Sequence, residues 1–295
     1  MSELGKRVAV AVVGIPTVLG LAWLGGWFLA APLAAVAGWA AHECYRFAHQ
    51  KEIEPVEGIG VPLAAAFVLI PVWQSAFRDA APWILGLLAV ATPGTLLAAM
   101  FRRGADGNPL SAASITVASA IYVGLALSFA PLLHGLPGRL GWAPADDATA
   151  GLLVVMLPLV ATWVGDAAAF FAGSAWGRNR KKLAPGISPN KSWVGFWAGL
   201  GGAALAAALW YLSAASRLPA LDVGGIVPMA VAGALLGLAA VLGDLVESLL
   251  KREAGVKDSG TFFPGHGGVM DRIDSLIFTI PLAYALLVLL ASFRA

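Results

Sequence analysis

Nine long apolar stretches constrain this chain more than any other feature of its sequence. They cover approximately residues 8–24, 27–43, 59–77, 81–101, 112–134, 150–173, 194–213, 226–250 and 275–293. A helix needs about 20 mostly apolar residues to cross a bilayer. Only 12% of the residues are charged, against roughly 25% in soluble domains. We therefore predict an all-α polytopic membrane protein with about nine transmembrane helices, the first of them retained rather than cleaved as a signal peptide.

The basic residues are distributed unevenly between the segments that join these stretches. With the N-terminus inside, 15 of the 19 Lys and Arg residues fall in inner segments. Cytoplasmic loops carry such an excess. The pattern predicts a cytoplasmic N-terminus and cytoplasmic loops at 174–193 and 251–273. The single Cys44 excludes a disulfide within the chain, and nothing in the sequence indicates a nucleic-acid partner.

Ionisable residues divide the chain into two regions. Residues 1–135 contain spans one to five, in which Glu43 is the main acid, and we predict a lipid-facing scaffold there. Residues 136–295 contain spans six to nine, and their apolar sequence is interrupted by three acids: Asp166, Asp244 and Glu247. Because ionisable groups inside a membrane are costly, such acids mark functional sites. We predict that the second region is catalytic.

The segment from Ser248 to Asp274 is a polar island between two apolar stretches. Its glycines let the backbone approach a ligand and leave N–H groups available for phosphate. Three basic residues supply the charge that phosphate binding needs: Lys251, Arg252 and Lys257. Arg272 is the fourth basic residue of the segment. The segment also contains His266, the one histidine in such surroundings, whereas His42, His49 and His134 look like ordinary interfacial residues. No Walker P-loop is present.

Acids in and before this island share helix faces. Asp244, Glu247, Ser248 and Lys251 follow the spacing i, i+3, i+4 and i+7, and Asp271 and Asp274 follow i and i+3. Oxygen ligands favour Mg²⁺, which bridges to substrate phosphates, so Asp244, Asp258, Asp271 and Asp274 could form such a site. Alternatively, the acids form structural ion pairs or complement a helix dipole.

Span six and the loop after it form the remaining polar group. Asp166, Phe170 and Gly173 share a helix face, and Ser192 is a plausible N-cap of span seven. The loop contains a basic cluster, which determines topology, contacts anionic lipids or binds substrate: Arg178, Arg180, Lys181 and Lys182. Pairs of small residues predict close helix packing: Gly195 with Gly199, and Gly233 with Gly237. Together these features indicate Mg²⁺-dependent chemistry on a phosphate or nucleotide at the inner membrane face.

The polar island carries a resemblance to a known family. It reads S-x-L-K-R-x4-K-D-x-G-x2-F-P-x-H-G-G-V-x-D-R-I-D from Ser248 to Asp274, and it resembles the signature of phosphatidate cytidylyltransferases, or CDP-diacylglycerol synthases. Further family-like features are Gly165-Asp166, Ala169-Phe170, Gly173, Gly177-Arg178, Ser188-Pro189, Lys191 and Gly243-Asp244 with Glu247. One departure is Val194, which stands where the family usually has Glu.

The resemblance implies a reaction and its site. CTP and phosphatidic acid would give CDP-diacylglycerol and pyrophosphate in phospholipid biosynthesis, at the cytoplasmic face of a bacterial inner membrane, with Mg²⁺, a second cation such as K⁺, and a homodimer. The implied catalytic residues are Asp244, Lys251, Arg252, Lys257, Asp258, His266 and Asp271. The implied substrate-binding residues are Arg178, Ser188, Lys191, Ser248, Gly267, Gly268 and Arg272. The implied metal ligands are Asp166, Asp244, Glu247, Asp258, Asp271 and Asp274.

Two other classes of protein remain open. A CTP-dependent lipid-alcohol kinase could use a similar loop of basic and acidic residues, but it would transfer the γ-phosphoryl group and release CDP. A secondary transporter would also have acids in its late spans. CDP-alcohol phosphotransferases are disfavoured because their D-G-x-x-A-R signature is missing.

Overall fold

The computed structural model of this chain describes residues 3–104, 107–262 and 267–293. The first part contains α1 (Glu3–Leu24), α2 (Gly26–His49), α3 (Glu57–Trp73), α4 (Phe77–Arg103), α5 (Pro109–Ala120), a π-helical turn (Ile121–Leu125), α6 (Ala126–His134) and the short α7 (Leu136–Arg139). The second part contains α8 (Ala148–Trp176), β1 (Lys182–Ala184), β2 (Ser188–Ser192), α9 (Trp193–Arg217), α10 (Ile226–Glu253) and α11 (Met270–Ser292).

Each of the nine predicted spans falls on helical structure within the described ranges, the fifth on α5, the π-helical turn and α6 together. Six helical segments there are long and apolar enough to cross a membrane: Phe77–Arg102, Pro109–His134, Ala148–Trp176, Trp193–Arg217, Ile226–Glu253 and Met270–Ser292. Two shorter apolar helices are Gly14–Leu24 and Glu57–Trp73. The prediction of an all-α integral membrane protein with several spans is confirmed, whereas the side on which its N-terminus lies stays a prediction.

The loop between spans six and seven contains structure that the sequence did not predict. β1 and β2 form an antiparallel hairpin, in which Lys182 pairs with Ser192 and Ala184 with Ser188. Strands of three and five residues are too short to show the alternation of apolar and polar residues that identifies a strand. A smaller difference lies at the end of the third span, which stops at Trp73 rather than near 77.

The chain forms two compact units. One consists of Met1–Leu132 with Leu250–Ile273, and the other of Leu133–Leu249 with Asp274–Ala295. The division along the chain near residue 132 lies close to the boundary drawn from the sequence at 135. The polar loop after α10 belongs to the first unit, and the assignment of a scaffold and a catalytic region stays a prediction.

A buried tyrosine organises the C-terminal end of α2 in the first unit. The Tyr45 side chain is fully enclosed, and its hydroxyl donates a hydrogen bond to the Thr116 carbonyl at 2.9 Å. A Cβ atom on Gly60 would overlap the Tyr45 ring, so only glycine lets α3 approach α2 at this point. The Thr116 hydroxyl accepts from the Val56 N–H at 2.7 Å. These bonds hold α2, α3 and α5 together at Tyr45, two residues along the chain from Glu43.

Small residues allow three helices of the second unit to pack closely. A Cβ atom on Gly195 or Gly199 would meet α8, at 2.9 Å from the Ala169 carbonyl oxygen or 3.2 Å from the Ala169 side chain. A Cβ atom on Gly233 would lie 2.5 Å from the Ala203 carbonyl oxygen, and one on Gly237 would lie 2.8 Å from the Ala203 side chain. The prediction of close packing at both glycine pairs is confirmed. In a lipid bilayer the hydrophobic effect does not favour the pairing of helices, so close packing of this kind drives their association.

Replacing Gly233 with alanine tests this packing. The new methyl group meets backbone and side chain of α9 at 2.5 Å, and overpacking of this kind costs about 1–3 kcal/mol. We expect Gly233→Ala to lower the thermal unfolding midpoint of the detergent-solubilised protein. Gly201→Ala is the matched control, because nothing lies within 4 Å of its Cβ position, and it should leave the midpoint unchanged or raise it. Equal midpoints for the two variants would contradict the packing.

Candidate functional site

A pocket of about 530 Å³ opens in the second unit between α8, the β-hairpin, α9 and α10. Residues of α8 on its wall include Asp166, Phe170 and Gly173, so the predicted common face of these three residues is confirmed. The other polar lining residues are Ser174, Arg178, Lys182, Asn190, Lys191, Ser192 and Asp244. The pocket therefore combines two acids from membrane-spanning helices with three basic residues from the adjoining loop.

A lysine of the hairpin forms an ion pair with an acid of α10. Lys191, on β2, places its Nζ 2.7 Å from Oδ2 of Asp244. The Ser248 hydroxyl, one turn along α10, donates to Oδ1 of Asp244 at 3.3 Å. The orientation of the hairpin is fixed at its end, since Ser192 caps α9 by accepting from the Gly195 N–H at 3.2 Å. That cap was predicted from the sequence and is confirmed.

Acids exceed bases in the middle of the second unit. The carboxylates of Asp166 and Asp274 are close enough to Asp244 and to Lys191 for their charges to interact. When all are ionised, three carboxylates face one ammonium group. A surplus of negative charge among apolar helices is costly unless a cation balances it.

The donor chemistry of this acidic cluster fits a divalent cation. Carboxylate oxygens are the ligands that Mg²⁺ prefers, and three carboxylates lie near enough to one another here for their charges to interact. Within the described ranges, no three His, Cys, Asp or Glu side chains are already arranged as the ligands of a metal ion. Asp166, Asp244 and Asp274 are thus a set of candidate ligands whose oxygens would have to converge further around an ion.

A second polar cluster lies in the first unit, around Asp271. Its Oδ2 accepts hydrogen bonds from the N–H and the hydroxyl of Ser259, both at 2.9 Å, and from the Gly268 N–H at 2.8 Å. Its Oδ1 lies 2.6 Å from Nζ of Lys251. The two side chains of this ion pair are 13% and 8% exposed. Asp271 therefore ties the last turn of α10 to both ends of the loop that precedes α11.

The sequence did not assign a role to Glu43, which completes this cluster from α2. Its side chain is 1% exposed and accepts from the Ser259 hydroxyl and from the N–H groups of Val269 and Met270. The one signal in the sequence was a lone acid at the inner end of an apolar span. Nothing local pointed to its partners, which are more than 200 positions away along the chain.

The remaining predicted residues lie in several surroundings. Glu247 is buried at 1% exposure. Gly267 has a φ of 80°, a left-handed conformation that favours glycine, and Ser188 begins β2. Four side chains of the polar island are exposed: Arg252, Lys257, Asp258 and Arg272. His266 lies outside the described residues. A single site that includes both the island and the region 166–191 stays a prediction.

Two of the histidines that the sequence analysis set aside have a specific partner. His42 Nδ1 lies 2.7 Å from Glu57 Oε2, and His49 Nε2 lies 2.8 Å from Glu57 Oε1. Glu57 is the first residue of α3 and lies at the end of the polar link between α2 and α3. Burial by itself raises the pKa of Glu57. The hydrogen bonds with His49 and His42 lower it by more than burial raises it, so the pKa of Glu57 lies below its ordinary value. The triad connects the end of α2 to the start of α3.

Known proteins resemble this chain over almost its whole length. The model of the cytidylyltransferase family matches residues 5–290. A protein of Synechocystis sp. named phosphatidate cytidylyltransferase is 33% identical over 299 residues, which cover 97% of each chain. One of Brucella suis with the same name is 33% identical over 289 residues, 96% of this chain and 93% of the relative. Phosphatidate cytidylyltransferase 5, chloroplastic, of Arabidopsis thaliana is 32% identical over 96% of this chain and 72% of the relative.

The Lys251–Asp271 ion pair makes a testable contribution to stability. Removing one partner of a buried pair takes away the opposite charge that faces the other partner, which costs about 3–5 kcal/mol. We expect Lys251→Met and Asp271→Asn each to lower the free energy of unfolding by about this amount, measured by denaturant unfolding in detergent. Arg46→Met, at an exposed position of α2, is the control and should change it by less than about 0.5 kcal/mol. A similar small change in all three variants would contradict a buried ion pair.

Proposed function

The chain belongs to the cytidylyltransferase family, and on that premise we propose that it is a phosphatidate cytidylyltransferase. It would condense CTP with phosphatidic acid to give CDP-diacylglycerol and pyrophosphate, a step of phospholipid biosynthesis. The observation that carries the proposal is the pocket of the second unit, in which Lys191 and Asp244 pair at 2.7 Å beside further acids and bases. The relatives that match over almost the whole chain bear the same name.

The composition of the pocket suits a lipid phosphate. Phe170 and Phe196 give it an apolar side continuous with the membrane-spanning helices, while Arg178 and Lys182 supply positive charge from the loop. A phosphatidic acid molecule has the same division, because its acyl chains need apolar surroundings and its phosphate needs cationic donors. The volume of about 530 Å³ lies within the range of roughly 300–1,000 Å³ usual for small-molecule sites.

The reaction requires charge neutralisation more than bond chemistry by the protein. A phosphate oxygen of phosphatidic acid attacks the α-phosphorus of CTP and forms the new P–O bond. The bond from that phosphorus to the oxygen bridging to the β-phosphate breaks, and pyrophosphate leaves with the electron pair. Both reactants are anions that repel each other, so basic groups must hold them in line. Arg178, Lys182 and Lys191 are the candidates for the lipid phosphate.

We propose that Asp166, Asp244 and Asp274 would hold Mg²⁺. When bound, Mg²⁺ shields the phosphate charges and stabilises the leaving pyrophosphate. The Lys191–Asp244 ion pair would keep the Asp244 carboxylate oriented in the absence of the ion. Three further metal ligands stay predictions, namely Glu247, Asp258 and Asp271, as does triphosphate binding by Lys251, Arg252 and Lys257. A second cation and a homodimer also stay predictions.

We further propose that the pocket faces the cytoplasm across a bacterial inner membrane. The distribution of the basic residues supports this orientation, because 15 of 19 fall on the side that would contain residues 174–193. CTP is available only on that side. The bacterial relatives support an inner-membrane location.

A single assay of the purified protein tests the reaction. With CTP labelled in the cytidine, phosphatidic acid and Mg²⁺, we expect a lipid that carries CMP, together with stoichiometric pyrophosphate. A lipid-alcohol kinase would instead release CDP and label no lipid with cytidine. Boiled protein and diacylglycerol in place of phosphatidic acid are the controls. If folded protein of the correct size makes no CMP-bearing lipid, the proposed function is rejected.

The same assay in sealed vesicles tests the orientation. CTP does not cross the bilayer, so added CTP should be consumed in vesicles with the cytoplasmic side outward. Right-side-out vesicles should become active only after permeabilisation. Equal activity in both kinds of intact vesicle would argue against a cytoplasmic pocket.

Removal of individual carboxylates tests the metal assignment. Asp166→Asn and Asp274→Asn each reduce the negative charge around Asp244, so the Mg²⁺ concentration for half-maximal activity should rise by about tenfold or more, as expected for a loss of about 1.4 kcal/mol in binding. Excess EDTA should stop the wild-type reaction, and Mg²⁺ should restore it. Asp222→Asn, an exposed acid before α10, is the control. An unchanged Mg²⁺ requirement in both variants would remove these residues from the metal site.

A further inference from the structure

Glu43 lies in a part of the chain that carries no predicted catalytic residue, yet its contacts are all with the polar loop. The loop in question, residues 254–269, joins α10 to α11 and carries Lys257 and Asp258. Three donors reach the Glu43 carboxylate. They are the Ser259 hydroxyl at 2.8 Å, the Val269 N–H at 3.0 Å and the Met270 N–H at 2.8 Å.

The two backbone donors belong to the start of α11. The first N–H groups of a helix have no partner within it, and the helix dipole adds positive potential at that end. A serine or aspartate just before the helix usually satisfies them. Here Val269 and Met270 stand at that point, and a carboxylate from α2 takes the place of the cap.

Two glycines of the loop are required by this carboxylate. A Cβ atom on Gly260 would lie 2.5 Å from Oε1 of Glu43, and one on Gly268 would lie 2.5 Å from Oε2. Neither glycine has a backbone conformation that excludes other residues. The reason for glycine at position 260 is therefore the space that Glu43 occupies, and at position 268 it is the space that Ser259 and Glu43 occupy together.

Ser259 connects Glu43 to the Asp271 cluster. Its hydroxyl lies 2.8 Å from Glu43 Oε2 and 2.9 Å from Asp271 Oδ2, so its one hydrogen can be donated to one acid at a time. The backbone N–H groups of Ser259 and Gly268 complete the shell of Asp271. The two carboxylates thus hold the loop at residues 259 and 268–270, the two ends of its glycine-rich part.

We propose that Glu43 is a positioning residue for the CTP-binding loop of the reaction proposed above. By holding Ser259 on one side and Val269 and Met270 on the other, it positions the backbone next to Lys257 and Asp258, which are predicted to act at the triphosphate. The inference rests on the proposed function for its kinetic consequence, but the hold on the loop exists whatever the substrate.

Glu43→Gln is the first test, because it keeps the shape and turns one acceptor into a donor that opposes a backbone N–H. Loss of a charged hydrogen bond predicts a rise in the KM for CTP of about tenfold or more. The KM for phosphatidic acid should stay close to the wild type, whereas the thermal midpoint should fall because a buried N–H loses its acceptor. Glu43→Asp keeps the charge and should recover part of the loss. Glu52→Gln, exposed in the turn after α2, is the control.

Hydrogen exchange of the backbone supplies a readout that does not depend on activity. In Glu43→Gln the amides of Val269 and Met270 should exchange faster than in the wild type, whereas amides of α8 should not change. Unchanged exchange at Val269 and Met270, or a CTP KM equal to that of Glu52→Gln, overturns the inference. Equal losses in the KM values of both substrates also overturn it, because they indicate a general structural role.

The Gly260 position keeps the proposal testable if Glu43→Gln does not fold. Gly260→Ala pushes a methyl group against the Glu43 carboxylate, so it should reproduce the higher CTP KM and the faster exchange. Glu43→Asp withdraws the carboxylate by one methylene and makes room for the new methyl group. The Glu43→Asp/Gly260→Ala double variant should therefore show a smaller rise in the CTP KM than the two single variants combined. Strict additivity, or wild-type exchange in Gly260→Ala, overturns the inference. A wild-type protein that makes no CDP-diacylglycerol rejects the proposed function alone, since the exchange results still decide the role of Glu43.

Discussion

A carboxylate enclosed by apolar helices persists only where donors or cations surround it, and the polar architecture of this chain follows from that requirement. In the first unit the requirement is met by backbone N–H groups, one serine hydroxyl and one lysine. Glu43 and Asp271 each receive several hydrogen bonds. Residues 259 and 268–270, between α10 and the start of α11, are positioned by the hydrogen bonds that their N–H groups donate to these two acids.

The second unit meets the same requirement incompletely. Lys191 compensates Asp244, but Asp166 and Asp274 add negative charge for which the described side chains offer no second lysine at the same point. A divalent cation is the ligand that we propose for this acidic surplus. The contrast between the units is therefore between acids whose hydrogen bonds organise the backbone and acids that we propose as metal ligands.

Glycine serves three different physical purposes in this chain. Gly233 brings α10 against the backbone of α9, Gly260 leaves room for the Glu43 carboxylate, and Gly267 adopts a φ of 80°. In the sequence the three are alike, and the last two lie within one glycine-rich run. Only the identity of the neighbouring atoms separates helix packing, space for a side chain and backbone conformation. Substitution by alanine should accordingly have different consequences at each position.

The sequence by itself determined what depends on neighbours along the chain. Hydropathy located the helices, the 3.6-residue period placed Asp166 with Phe170 and Asp244 with Ser248, and the Ser192 cap followed from its position before an apolar run, because these properties are local. The family signature supplied the candidate residues of the polar island. Only the tertiary structure decided that Lys191 pairs with Asp244, that a hairpin presents it, and that Glu43 holds Ser259 across 216 positions. No period or spacing encodes such contacts, since they arise when separate helices pack and every buried charge must find its partner.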